Sequence, residues 1–471
     1  MEQNNTILKN KWIILGVIIS QPFMACIDGS IINVALPTIR ENLGITMSTS
    51  EWIVSSYLVI ISAFILFFGR LGDIKSKSKV FINGILIFLL GSLFCALSSN
   101  ITYLVISRIV QGIGASMLMA TNQGLIADIF PKNERGKALG ISGASVALGS
   151  ILGPALGGLI ITYLPYNFIF LINIPIGLVA YILGIKYLPV KKTNKNEKMD
   201  IPGAILFAVS IIFLFTSLLA SQNFGFKNMY IILGLILGLI ILAGFFIVES
   251  KVEMPMLELS LFKSSSFSIN LFCAFIIFVT TNTINVIQPF YLTDILKYSP
   301  SKISMVMLFN PLILLFVAPI SGALSDKIGS KKLTLFGLLS ISIVIGLMSF
   351  LNETSSMLHI VILLSFLGLA SGTFNSPNTN IIMSSVPRDK LGIAGSTNAL
   401  MRNLGLAFGV TYSTTILYAR MSNIAGYRVY EAIEGKDYIF VSGMKYVYII
   451  TACLCLLAFF ISLFSKLSKQ K

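Results

Sequence analysis

The chain has 471 residues, 55% of them hydrophobic and only 11% charged, and its apolar runs repeatedly reach about twenty residues between short polar breaks, enough to cross a bilayer as helices. A formal charge of +15 excludes little by itself, but the basic residues lie between those runs, where lipid and topology explain them better than nucleic acid does. One histidine, His359, and five cysteines confined to apolar runs leave no basis for a histidine-dependent hydrolase, a metal-ligand spacing or a disulfide framework. The composition is that of an all-α polytopic membrane protein.

The first run, near 12–36, follows Lys9 and Lys11 and closes on no small-residue cleavage site, so it reads as a retained span. It holds Asp28. An acid in hydrocarbon is costly when ionised and tends to pair, to face a water-filled cavity or to take up a proton. Further runs follow near 51–70, 79–98, 102–123, 136–161 and 166–188, then near 200–221 and 229–249, and finally near 267–293, 300–323, 332–351, 356–378, 391–418 and 440–464. That makes fourteen spans. Lys75, Lys77, Lys79, Lys191, Lys192, Lys327, Lys331 and Lys332 crowd the loops on one side, which places both termini in the cytoplasm of a cell membrane. Residues 249–267, between the inserted pair and the last group, mix Leu and Phe with charges; an interfacial helix and an ordinary linker both fit.

An internal repeat fixes the organisation better than hydropathy does. Gly69-Arg-Leu-Gly-Asp73 through Lys79 recurs as Gly322-Ala-Leu-Ser-Asp326 through Lys332, and each copy joins the second and third spans of its group. The chain is therefore two six-helix halves, 12–188 and 267–464, separated by 189–266 with two inserted spans. Parallel repeats with a substrate site at their interface describe one large class of transporters. No GxxxxGK[ST] motif is present, and nothing in the sequence calls for a cofactor.

Span 5 carries Gly149-Ser-Ile-Leu-Gly153-Pro154-Ala-Leu-Gly157-Gly158. Glycines four apart make a strip that another helix can approach closely, and Pro154 removes a backbone hydrogen bond and bends the helix. Arg108 lies about six residues into span 4, at a depth within about one helical turn of Asp28. The two are expected to share the central cavity, where small rearrangements switch the Asp28 proton on and off; a static ion pair fixing two helices is the other reading. Polar residues in spans 9 and 12, Asn282, Asn285, Gln288 and Asn375 among them, are candidate cavity walls or helix–helix glue. Gln21, Asn33, Tyr57, Gln111 and Asn310 are weaker cavity candidates from other spans.

Taken together, IDGSIINVALPTI (27–39), GRLGDIKSKSK (69–79), RIVQGIGAS (108–116) and GSILGPALGG (149–158) resemble the major facilitator superfamily, and more narrowly its fourteen-span drug/proton antiporters of the EmrB/QacA type. The similarity covers nearly the whole chain, with four motifs in order. It implies the major facilitator fold, a monomer, no enzymatic activity, and conformational or gating roles for Gly69, Asp73, Asp326, Gly149, Gly153, Pro154, Gly157, Gly158 and Arg402. The last motif is characteristic of exporters, which implies efflux. The first repeat copy departs from the family pattern, with Ile74 and Ser76 where an arginine and a glycine are usual, whereas the second keeps Gly329. That departure weakens the expected latch at Asp73, and a merely solvated basic loop is the alternative.

The expectation is proton-coupled efflux of small hydrophobic, cationic or neutral, amphipathic compounds, with Asp28 and Arg108 as the coupling pair and membrane lipid as the surround. A narrow exporter of a compound such as tetracycline or a lipid-like metabolite, and a facilitator importing a small nutrient, are the alternatives.

Overall fold

Backbone amides cannot hydrogen-bond to lipid, so an apolar chain of this kind must satisfy them internally, and helices do so within one segment. The computed structural model describes residues 2–189, 199–225, 228–252, 255–387 and 391–464. Among the described residues there are α-helices and short 3-10 and π turns but no strand. A first bundle consists of α1 (Glu2–Leu43), α2 (Met47–Leu71), α3 (Lys77–Ala96), α4 (Ile101–Ile129), α5 (Lys132–Tyr163) and a broken helix, α6 (Phe168–Leu171) with α7 (Asn173–Tyr187). Next come α8 (Ile201–Phe224) and α9 (Met229–Glu249). The second bundle is α10 (Ser265–Phe290), α11 (Pro300–Ile328), α12 (Ser330–Met348), α13 (Met357–Ser384), α14 (Leu391–Ala425) and α15 (Asp437–Phe464).

Side-chain caps set where several helices begin. Thr46 accepts from the Thr49 amide at 3.2 Å, Asn100 from Tyr103 at 3.0 Å and Asp200 from Gly203 at 3.0 Å, each satisfying one of the amides a helix start leaves unpaired. The two copies of the repeated loop turn differently. Gly329, at φ +92°, ends α11 and opens α12, a backbone conformation that favours glycine. Ser76 lacks that freedom, and α2 instead runs through a π-helical turn, Gly72–Ser76, into α3.

Twelve stretches among the described residues are long and apolar enough to cross a membrane. This differs from the fourteen expected, for two reasons visible in the helices. One stretch, Met47–Ala96, contains both α2 and α3, and α14, with Arg402 and a run of Asn, Ser and Thr, is too polar to qualify. The segment 249–267 does not form an interfacial helix where it is described. It holds a five-residue 3-10 turn, Leu259–Lys263, with Leu257 and Leu261 buried.

Packing follows the two bundles. In the first, α1 lies on α5, α7 and α4, and α3 on α4; in the second, α10 lies on α14, α11 on α13, and α12 on α13 and α15. The bundles meet through α5 against α11 and α2 against α14. The pair α8 and α9 packs at that second seam, with α8 touching both α2 and α14. Arg428, beyond α14, donates to the Phe224 carbonyl at the end of α8 at 2.9 Å. Apolar side chains such as Phe94, Ile182, Ile240, Phe316 and Phe336 face outward, as a lipid surround requires.

Candidate functional site

Asp28 lies in mid-α1, and three donors from two helices converge on it. Arg108 Nη1 of α4 reaches Oδ2 at 2.6 Å, while Gln111 Nε2, one turn further on α4, and Asn173 Nδ2, at the start of α7, reach Oδ1 at 2.8 and 3.1 Å. Gln111 also donates to Ser92 of α3 at 2.9 Å and accepts from Arg108. Arg108 spends its Nε on the Ile53 carbonyl of α2 at 3.0 Å, and its guanidinium lies 4.1 Å over the Tyr57 ring. Both charged side chains are 1% exposed. A buried pair of this kind is tolerable only when its remaining donors and acceptors are satisfied, and here the surrounding amides do that.

Between the bundles lies a cavity of about 190 Å³. Its walls come from α1, α2, α4 and α5 on one side and α10 and α14 on the other. Asp28 is not in the wall; Arg108 and Tyr57 are, so the acid stands one side chain behind the cavity surface. Of the cavity residues expected from sequence, Asn33, Tyr57, Asn282 and Asn285 line it. Asn282 also fixes α10 to α14 by donating to the Leu406 carbonyl at 2.6 Å.

The remaining candidates lie elsewhere. Gln111 serves Asp28 directly, and Gln21 is buried, accepting from Asn122 at 3.1 Å. Gln288 accepts from Tyr448 at 2.8 Å inside the second bundle. Asn310 packs its carbonyl close to Gly368 of α13, and the Asn375 carbonyl accepts from Thr379 at 2.9 Å. Gln21 and Gln288 thus join helices, a role that sequence position alone does not distinguish from a cavity wall, whereas the contacts of Asn310 and Asn375 are those of their backbone carbonyls.

The glycine strip has two partners. Gly149 and Gly153 abut α1, where an added Cβ at Gly149 would lie 2.6 Å from the Phe23 carbonyl oxygen and one at Gly153 would collide with Ser30 Oγ. Gly157 lies against Ile31 at ordinary contact distance. Gly158 faces the other bundle, where a Cβ would collide with Ser304 Oγ of α11. Pro154 sits within α5, and Gly69 near Ala120 of α4. Asp73 pairs with Lys77 at 3.3 Å, and Lys77 also reaches Asp128 at 3.4 Å, so this loop is tied to α4 without the family's arginine. The side chain of Asp326 lies outside the described residues.

Two residues absent from the expectation matter. Glu51, fully buried at the start of α2, accepts from Tyr418 of α14 at 2.5 Å, and Arg40 of α1 forms a bidentate pair with Asp294, beyond α10, at 2.7 and 2.8 Å. Both link the bundles at the same end. A lone acid opening an apolar run, with no basic residue one turn away, was the available signal for Glu51. Arg402 faces the cavity, its guanidinium 5.4 Å from the Phe278 ring and Nη2 4.0 Å from Cys26 Sγ.

Two helical bundles around a central cavity, with Arg108 in its wall and Asp28 paired behind it, are the architecture of a membrane transporter. The chain belongs to the major facilitator superfamily: the profile of the Major Facilitator Superfamily matches residues 20–410 and 270–471. It is 39% identical over 408 residues to the riboflavin transporter RibZ of Clostridioides difficile, an overlap of 86% of this chain and 88% of that protein. It is 31% identical over 422 residues to the multidrug transporter protein MdtP of Bacillus subtilis, covering 88% of this chain and 77% of that one. Among solved structures, a bacterial homologue of the human lysosomal transporter Spinster, inward-facing and unoccupied, superposes with a TM-score of 0.65. At 14% identity over 98% of this chain and 97% of that one, it shares the fold.

Proposed function

We propose that this chain is a proton-coupled exporter of small amphipathic organic compounds. The observation that carries the reading is the buried Asp28–Arg108 pair, whose acid stands behind the cavity wall while Arg108 and the Tyr57 ring beside it line the cavity. A proton arriving on Asp28 removes the charge that holds Arg108, and the guanidinium then shifts against Tyr57 and alters the cavity. Loss of the proton restores the pair. Cavity occupancy and proton occupancy are thereby linked through one arginine, which is what antiport requires.

Export, rather than uptake, follows the resemblance of the span 5 motif to exporters and accords with relatives named for multidrug transport. The architecture that goes with this reading has fourteen crossings, adding α14 and counting α2 and α3 separately. Both termini then lie in the cytoplasm, the halves span 12–188 and 267–464, and the Arg40 end faces outward. A second reading, transport of one planar heteroaromatic compound, is favoured by the 39% identity to a riboflavin transporter.

The test is movement of riboflavin and of fluorescein, each fluorescent, in proteoliposomes carrying a proton gradient. Gradient-driven movement is expected, lost with a protonophore and in Asp28→Asn, and partly kept in Asp28→Glu, which retains a titrating carboxyl. Movement unaffected by the protonophore and by both variants would establish facilitated diffusion instead. Movement of riboflavin alone would select the single-substrate reading.

A further inference from the structure

The cavity wall contains two arginines and no carboxylate. The charge of Arg108 is met by Asp28 behind it. That of Arg402 is not: among the described residues no carboxylate pairs with it, and its guanidinium lies by the Cys26 sulfur and the Phe278 ring. Its Nε is buried without a hydrogen-bond partner, and so are Asn33 Oδ1 and the Tyr57 hydroxyl on the opposite wall. Asn282, Asn285 and Asn403 bring amides to the same wall, which can donate or accept. A cavity-facing guanidinium without a counter-charge favours whatever brings one, and its planar fork matches a carboxylate in two parallel hydrogen bonds. The same charge repels a lipophilic cation, so the cationic substrates expected from sequence are disfavoured by the wall that would bind them.

Resting on the transport reading above, we infer that the cavity selects an aromatic compound bearing an anionic oxygen group, such as a carboxylate or phenolate, held by Arg402 with its ring toward Phe278. Arg402 is thus a substrate-binding residue that sets charge preference, in place of the gating role its family position implied.

The experiment is equilibrium binding to the purified protein in detergent, read by fluorescence, of two probes that share one ring. They are a methoxycoumarin carboxylate and the same methoxycoumarin bearing a trimethylammonium group. The native chain should bind the carboxylate at least ten-fold more tightly. Arg402→Gln should lose that preference, and Arg402→Lys, which keeps the charge but not the fork, should retain its direction at reduced affinity and provides the comparison if the glutamine variant does not fold. Equal or tighter binding of the cation by the native chain, or a preference untouched by either variant, would overturn the inference. Because no gradient is involved, the two proposals separate. A charge preference without proton-driven transport sinks only the coupling, and proton-driven transport without the preference sinks only this assignment.

Discussion

At the scale of single residues, the wall behind the cavity is organised by one ion pair whose cost is offset by its neighbours. Asp28 accepts from Arg108, Gln111 and Asn173, and Arg108 has in addition the Ile53 carbonyl and the Tyr57 ring. Removing one partner of such a pair leaves a buried charge unmet, which typically costs about 3–5 kcal/mol, whereas replacing both by well-packed apolar side chains is often close to neutral. Asp28→Ala is therefore expected to lower stability in detergent by about that amount, and Asp28→Leu with Arg108→Met to restore most of it while abolishing coupling. A double variant as unstable as the single one would mean that the polar shell, not the pair, holds these helices. Asp28 and Arg108 were legible in the sequence because a charge inside an apolar run stands out. Asn173 and Ser92 were not, since amides and hydroxyls are frequent in these helices and only the assembled bundle brings Asn173 to Asp28 and Ser92 to Gln111. Arg402 was visible as a charge, but its role was not. What decides it is the absence of an acid in the cavity wall, a property of six helices at once.

At the scale of elements, the glycine strip of α5 does two separable things. Gly153 lets α5 lie against α1 within the first bundle, and Gly158, just over one turn later, lets the same helix lie against α11 of the second. The sequence motif announced close approach but not its partners, because a strip of glycines on a helix carries no information about what it touches. Overpacking such a contact typically costs about 1–3 kcal/mol. Gly153→Ala should thus destabilise the folded protein without changing how the bundles are disposed. Gly158→Ala should instead push the bundles apart at the Arg40 end. Spin labels at Tyr163 and Lys302, in a background without the native cysteines, would read this as a longer mean distance for the Gly158 variant alone. The same lengthening in both variants would show that α5 moves as a rigid unit and that the two faces are not separable. The repeat teaches a similar lesson: its two copies were plain in the sequence, yet Gly329 makes a tight turn while Ser76 ends a π-helical one, a difference set by one side chain's access to positive φ.

At the scale of the whole molecule, the bundles are fastened at the end that holds Arg40. There Arg40 and Asp294 form a bidentate pair, Tyr418 donates to the buried Glu51, and the Thr162 and Ser301 hydroxyls meet at 2.7 Å. Around Lys77 and Lys11, at the opposite end, the pairs with Asp73, Asp128 and Glu134 stay within the first bundle. Opening that end requires breaking these joints, and their free energy contributes to how often it opens. A hydrogen bond to a charged group is worth about 1.5–3 kcal/mol, so loss of the Arg40–Asp294 pair should raise the population open at that end ten-fold or more. Cys26 reports on this directly, because it faces the cavity between the bundles. Asp294→Ala is expected to speed its modification by a membrane-impermeant maleimide applied from the Arg40 side by about ten-fold, with Cys26→Ser as the control for the other cysteines. An unchanged rate would mean that Glu51 and Tyr418, with α5 on α11, keep this end shut without the ion pair, and a Tyr418→Phe variant of the Asp294→Ala protein should then be the one that opens it.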